Sequence, residues 1–176
     1  MTAWLRKNRW YFVAIAVLGP LAVLAAMSTD WFGYEQRVNG RPILVAEGDN
    51  VDFAGAEWSL DNSFVVSAES QAGRSADLPK NTELVVASVR INPSGVGDVS
   101  PSCTIHLKDR DGQRTWDTAL GIDVTIDEGA SSFCDSTRLD SYLLQVLFLV
   151  PEGAGEGSRL IIETAEEAPE LLSIAL

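Results

Sequence analysis

The sequence predicts an all-β protein: an antiparallel β-sandwich preceded by one N-terminal transmembrane helix. Three observations carry that expectation. An uncharged apolar run from Trp10 to Met27 follows a basic start, the remainder is strongly acidic, and short alternating or β-branched segments recur between turn clusters.

The chain has 176 residues, the length of one folded domain plus an appendage. Its 46% hydrophobic and 22% charged residues suit a globular protein. The mean hydropathy of +0.07 averages a very apolar N-terminal stretch with a polar body. The expected division is a cytoplasmic basic N-terminus at 1–9, a transmembrane helix at 10–29, a juxtamembrane connector at 30–46 and an extracytoplasmic sandwich at 47–176.

The run WYFVAIAVLGPLAVLAAM holds no charge. At about 1.5 Å per residue it covers roughly 27 Å of hydrocarbon, just enough to span a bilayer. Gly19 and Pro20 predict a kink, because in lipid the freed backbone groups find no partner better than a locally adjusted helix. Trp4, Trp10 and Tyr11 flank one end and Trp31, Phe32 and Tyr34 the other, where amphipathic rings favour the headgroups. Arg6, Lys7 and Arg9 on one side and Asp30 on the other orient the helix with its N-terminus in the cytoplasm. The expected location is the plasma membrane, single-pass, with the body outside. A cleaved signal peptide exports the same body, with Val23-Leu24-Ala25 or Leu24-Ala25-Ala26 as its cleavage site. A retained anchor is the expectation, since the run exceeds a usual signal core, aromatic residues continue past it and no Cys follows to take a lipid.

All 25 Asp and Glu follow the apolar run, against 10 of the 13 Lys and Arg, leaving the body at −15. Such a surface repels phosphate backbones and anionic headgroups, which excludes nucleic acid as a partner class. Its simplest role is to keep the domain soluble and apart from its copies.

Within the body, Asp30 to Ala46 reads as connector, with Gly33, Asn39-Gly40 and Pro42 breaking any helix and Arg41 to Ala46 starting a first strand. Strands are then expected at Val51–Leu60, Ser63–Glu69, Glu83–Asn92, Cys103–Asp109, Gln113–Thr118, Tyr142–Val150, Ser158–Thr164 and Leu171–Ala175, seven or eight in a sandwich. In Thr82–Ile91 the series Val85, Ala87, Val89, Ile91 faces one side, with Glu83, Ser88 and Arg90 on the other, which predicts a half-buried strand. Tyr142–Val150 is apolar on both faces except Gln145. That marks a central strand, or one whose outer face, with Leu143, Leu147 and Leu149, meets a partner. Asp111-Gly112 predicts the turn of a hairpin. Glu69–Lys80, rich in Ser, Ala and Gly, reads as a long surface loop.

Cys103 and Cys134 are the only cysteines, and export predicts a disulfide between them. A redox pair would sit as Cys-x-x-Cys, which is absent. The single histidine, His106, alternates with Ile105 and Leu107 onto the face away from the core. Neither Gly-x-Ser-x-Gly, nor a phosphate loop, nor a histidine-based zinc pattern occurs, so no catalytic residue, metal ligand or cofactor is expected. Trp58 and Trp116 are expected in or near the core. Asp109, Asp111, Asp117, Asp123, Asp127 and Glu128 are numerous enough to suggest Ca2+, but EF-hand spacing is missing.

Gly55-Ala56-Glu57-Trp58-Ser59-Leu60, then Asn81 to Arg90, then Cys103 to Asp111 follow an order that resembles the telokin-like, immunoglobulin-like domains found after a membrane anchor or lipoprotein signal in many bacterial surface proteins. The resemblance covers Val51 to Thr164. It implies an immunoglobulin-like sandwich with an extracytoplasmic accessory or binding role in the bacterial cell envelope, and it supplies no catalytic residues. The missing lipobox cysteine sets this chain apart from the lipoprotein members. Ten Arg against three Lys, with abundant Ala, Gly and Val, fits a GC-rich bacterial genome.

The function expected from these features is a non-enzymatic, membrane-anchored interaction module, an accessory subunit of a transporter or other envelope complex whose partner is another membrane or envelope protein. The alternative is an extracytoplasmic sensor or carrier for a small ligand or Ca2+. A carboxylate-based envelope hydrolase is a third and weaker reading.

Overall fold

The computed structural model describes residues 16–21, 40–46, 48–94, 101–122 and 129–176. The chain divides into two units, Met1–Gly40 and Arg41–Leu176. In the first, residues 16–21 are helical and exposed. Among the described residues no helix is long and apolar enough to cross a membrane. Apart from 16–21, the expected span 10–29 lies outside the described residues, as do the basic N-terminus and most of the connector.

The second unit is a β-sandwich of nine described strands: β1 (Arg41–Val45), β2 (Asn50–Phe53), β3 (Ala56–Ser67), β4 (Thr82–Pro93), β5 (Cys103–Lys108), β6 (Thr115–Asp117), β7 (Tyr142–Pro151), β8 (Arg159–Thr164) and β9 (Glu170–Ala175). One sheet runs β1-β9-β8-β5-β6, the other β2-β3-β4-β7. All pairings are antiparallel except β1 with β9, which are parallel. Between the sheets lie Trp58, Ile91, Leu107, Leu144, Phe148 and Ile162, all fully enclosed. Trp58 also satisfies its one polar atom, donating from Nε1 to the Phe53 carbonyl at 2.8 Å.

Four expectations change on contact with the structure. The expected strand Val51–Leu60 is a hairpin. Ala54 (φ 50°) and Gly55 (φ 75°) both adopt the left-handed conformation that a two-residue turn between twisted strands requires, and the Ala at the first position hid the signal. β3 then continues to Ser67 past a register shift between Leu60 and Asn62. β4 is buried on both faces, because Leu78, Ala119 and Ile122 pack over its outer residues Leu84 and Val86. Glu83 shares parity with Val85 and lies with the inward series, at the mouth of the sandwich.

The third change concerns Glu69–Lys80, which holds a short helix, α1 (Gln71–Ser75). Ser70 caps it, its hydroxyl accepting from the Gly73 N–H at 2.9 Å. Gly73 has no substitute there, since a Cβ would lie 2.1 Å from the Ser67 carbonyl oxygen and 2.8 Å from the Ala68 Cα. Both neighbours are backbone and cannot swing aside. Gly73→Ala is therefore expected to destabilise the domain by about 1–3 kcal/mol, read as a lower urea midpoint at unchanged slope.

The fourth is β7, which is a sheet edge and not a central strand. It stays apolar on both faces because the chain covers it. The Ser131 N–H donates to the Leu143 carbonyl and the Gln145 N–H to that of Ser131, both at 2.8 Å, and the Ala119 N–H donates to the Leu147 carbonyl at 2.7 Å. A lone parallel bridge joins Ser131 to Leu144.

Candidate functional site

Sheet edges carry unpaired N–H and C=O groups, and proteins usually blunt them with charge, proline, brevity or a cover. Most edges here follow that rule. β1 contains Arg41 and Pro42, β2 has four residues including Asp52, β6 has three including Asp117, and β7 is capped as described. β3 does not. β2 pairs only with residues 56–59, so from Leu60 to Ser67 the outer edge of β3 has no strand beside it among the described residues. The last five of these, Ser63-Phe64-Val65-Val66-Ser67, hold neither a charge nor a proline. Phe64 and Val65, 44% and 47% exposed, stand out of a well-packed β domain in mid-strand.

A groove opens beside that edge, about 440 Å³ in volume, lined by Ser63, Phe64, Val65, Glu83, Val85 and the turn between β7 and β8. Sites for ligands and side chains commonly run about 300–1,000 Å³. Gly155 forms part of the wall at close quarters. A Cβ there would lie 2.7 Å from a Val85 methyl, 2.8 Å from Glu83 Oε1 and 3.3 Å from a Val65 methyl. The Gly155 N–H donates to Glu83 Oε1, and the Ser158 hydroxyl donates to the Gly155 carbonyl at 2.8 Å. Glu83 is only 7% exposed. At the far end of the open edge Arg90 pairs with Asp61, both well exposed, a pair contributing about 0–1 kcal/mol.

The residues singled out from sequence are spread over the sandwich. Cys103 on β5 and Cys134 after Ser131 stand at disulfide distance, their Cα atoms 5.6 Å apart. They tie the five-stranded sheet to the segment that caps β7. Asp135, next to Cys134, accepts from the hydroxyl and N–H of Thr137, which with nearby Arg138 hold its carboxyl below the ordinary 3.8. The Asp135 N–H donates to the Tyr142 hydroxyl, fastening the same segment.

Of the candidate partner residues, Leu147 is 8% exposed beneath Ala119 and Ile122, and Leu143 and Leu149 are half-buried. A polar substitution at Leu147 therefore probes folding before it probes a partner. His106 lies on the outer side of β5, its Nδ1 2.9 Å from Asp117 Oδ1 across the β5–β6 pair. Trp116 packs against the core from β6.

Asp109 is occupied in the β5–β6 turn, where Oδ1 accepts the Gln113 and Arg114 N–H groups at 2.7 and 3.2 Å and Gly112 takes the positive φ. Among the described residues no three His, Cys, Asp or Glu gather as a metal site. Asp123, Asp127 and Glu128 lie outside the described residues.

The open β3 edge escaped sequence reading because nothing in Ser63–Glu69 reveals that its neighbour β2 ends early. The signal available was the exposed pair Phe64-Val65, which alternation alone places on opposite faces and so assigns one of them inward.

No protein-family model matches the chain, and no curated protein does. Among solved structures it is similar to an uncharacterized β-sandwich protein from Clostridium difficile 630, at 10% identity and a TM-score of 0.45, over 78% of this chain and 96% of that one.

Proposed function

We propose that the chain is a non-enzymatic interaction module of the bacterial cell envelope, anchored in the plasma membrane by residues 10–29 with the sandwich outside. In this reading it is an accessory subunit of a transporter or other envelope complex, and the sandwich is of the telokin-like, immunoglobulin-like kind. The observation that carries the reading is the unblunted edge of β3. Ser63 to Val66 on that edge hold no charge and no proline and have no strand beside them among the described residues, and such an edge invites aggregation unless a partner occupies it. The apolar N-terminal run, the paired cysteines and the acidic body support placement outside the membrane.

The test is purification of the intact protein from its native membranes in mild detergent. A stoichiometric membrane or envelope protein is expected to stay bound, and Phe64→Glu with Val65→Lys on the same edge is expected to release it while the isolated chain melts unchanged. A chain that comes out alone under every mild condition contradicts the proposal.

A further inference from the structure

We infer that the β3 edge receives an extended segment of the partner protein as an added strand, and that a Lys or Arg of that segment enters the groove to pair with Glu83. The inference rests on the interaction-module reading and names the chemistry of its partner. The open edge from Leu60 to Val66, seven residues at about 3.3 Å each, offers roughly 23 Å of strand for pairing, and Ser67 beyond it is bonded through its carbonyl to Ser70.

The groove supplies the specificity. Glu83 is more than nine-tenths buried, yet no ion pair reaches it among the described residues. Its Oε1 is engaged by the Gly155 N–H, and among the described residues no hydrogen bond reaches Oε2, which stays open to the groove. A cation brought by the ligand can pair with that open oxygen in a charge-assisted hydrogen bond, partly shielded from water by the groove walls. Glu156 lines the same groove and the body carries −15, so the field favours a cationic arrival and opposes a second copy of this chain.

Geometry restricts the side chain. Glu83 stands on β4, opposite Ser67, one strand in from the open edge. With strands about 4.8 Å apart, an added strand lies roughly 10 Å from the β4 backbone. Only a long side chain passing the inner side of β3 reaches Glu83 from there, which selects Lys and Arg over smaller polar groups. The exposed Val65 beside the path offers its aliphatic stem an apolar surface.

The experiment is selection of phage-displayed octapeptides against the full chain in detergent, in parallel with Glu83→Gln. Glutamine keeps an acceptor for the Gly155 N–H, and thermal melting establishes that the variant is folded. The expected result is enrichment of alternating apolar peptides with Lys or Arg at one fixed position, and at least a tenfold loss of their affinity for Glu83→Gln. Peptides enriched without a fixed basic position, or bound equally by Glu83→Gln, overturn the Glu83 pairing while leaving strand addition standing. Basic residues scattered along the peptides reveal only attraction to an acidic surface and overturn it too. If neither protein enriches any peptide, strand addition itself fails.

Discussion

Trp58→Ala is expected to destabilise the sandwich by about 3–5 kcal/mol, measured by urea unfolding. The indole is fully enclosed between the sheets, and the surrounding strands are held by ladders that cannot collapse into the space it leaves. A domain's whole stability is about 5–15 kcal/mol, so the variant sits near the limit of folding at all. Trp58→Phe separates two contributions. It keeps most of the ring volume but loses the Nε1 donor to the Phe53 carbonyl, and should cost clearly less than alanine. Equal losses for the two variants would place the energy in that hydrogen bond and not in the packing.

Replacing Cys103 and Cys134 together by serine is expected to cost roughly 3–4 kcal/mol, the chain-entropy value for a closed loop of this length. The loss should be uneven in space. Cys134 belongs to the segment whose backbone bonds cover the β7 edge, while Cys103 anchors it to the opposite sheet. Without the tie, amide exchange should accelerate first at Gln145, whose N–H depends on the Ser131 carbonyl, and later in the β4–β7 ladder. Uniform acceleration across all nine strands would contradict this local role.

The strands were largely legible because alternation and β-branching report burial directly. Thr82–Pro93, Cys103–Lys108 and Arg159–Thr164 begin and end within a residue or two of their sequence limits. What stayed hidden depends on partners distant in sequence. The Ala54-Gly55 turn lacks the Asn or Asp that announces such turns, and the edge position of β7 is masked by the cover from Ser131 and Ala119. A strand covered on its edge by its own chain has the composition of a central one. The inward direction of Glu83 follows from parity with Val85, but its charge argues for the opposite face, and the groove that accommodates it is built by the β7–β8 turn some seventy residues later. Sites made at strand edges are poorly encoded locally, because neither the missing neighbour nor the groove wall lies in the strand itself.

The most direct test of the β3 edge as the docking surface is photo-crosslinking in native membranes from a benzoylphenylalanine placed at Val65, with Leu44 on β1 as the exposed control. The account predicts one discrete adduct from position 65, mapping to an extended segment of a single envelope protein, with none from position 44. Adducts of equal yield from both positions, or none from Val65 while Leu143 or Leu149 crosslinks, would contradict it.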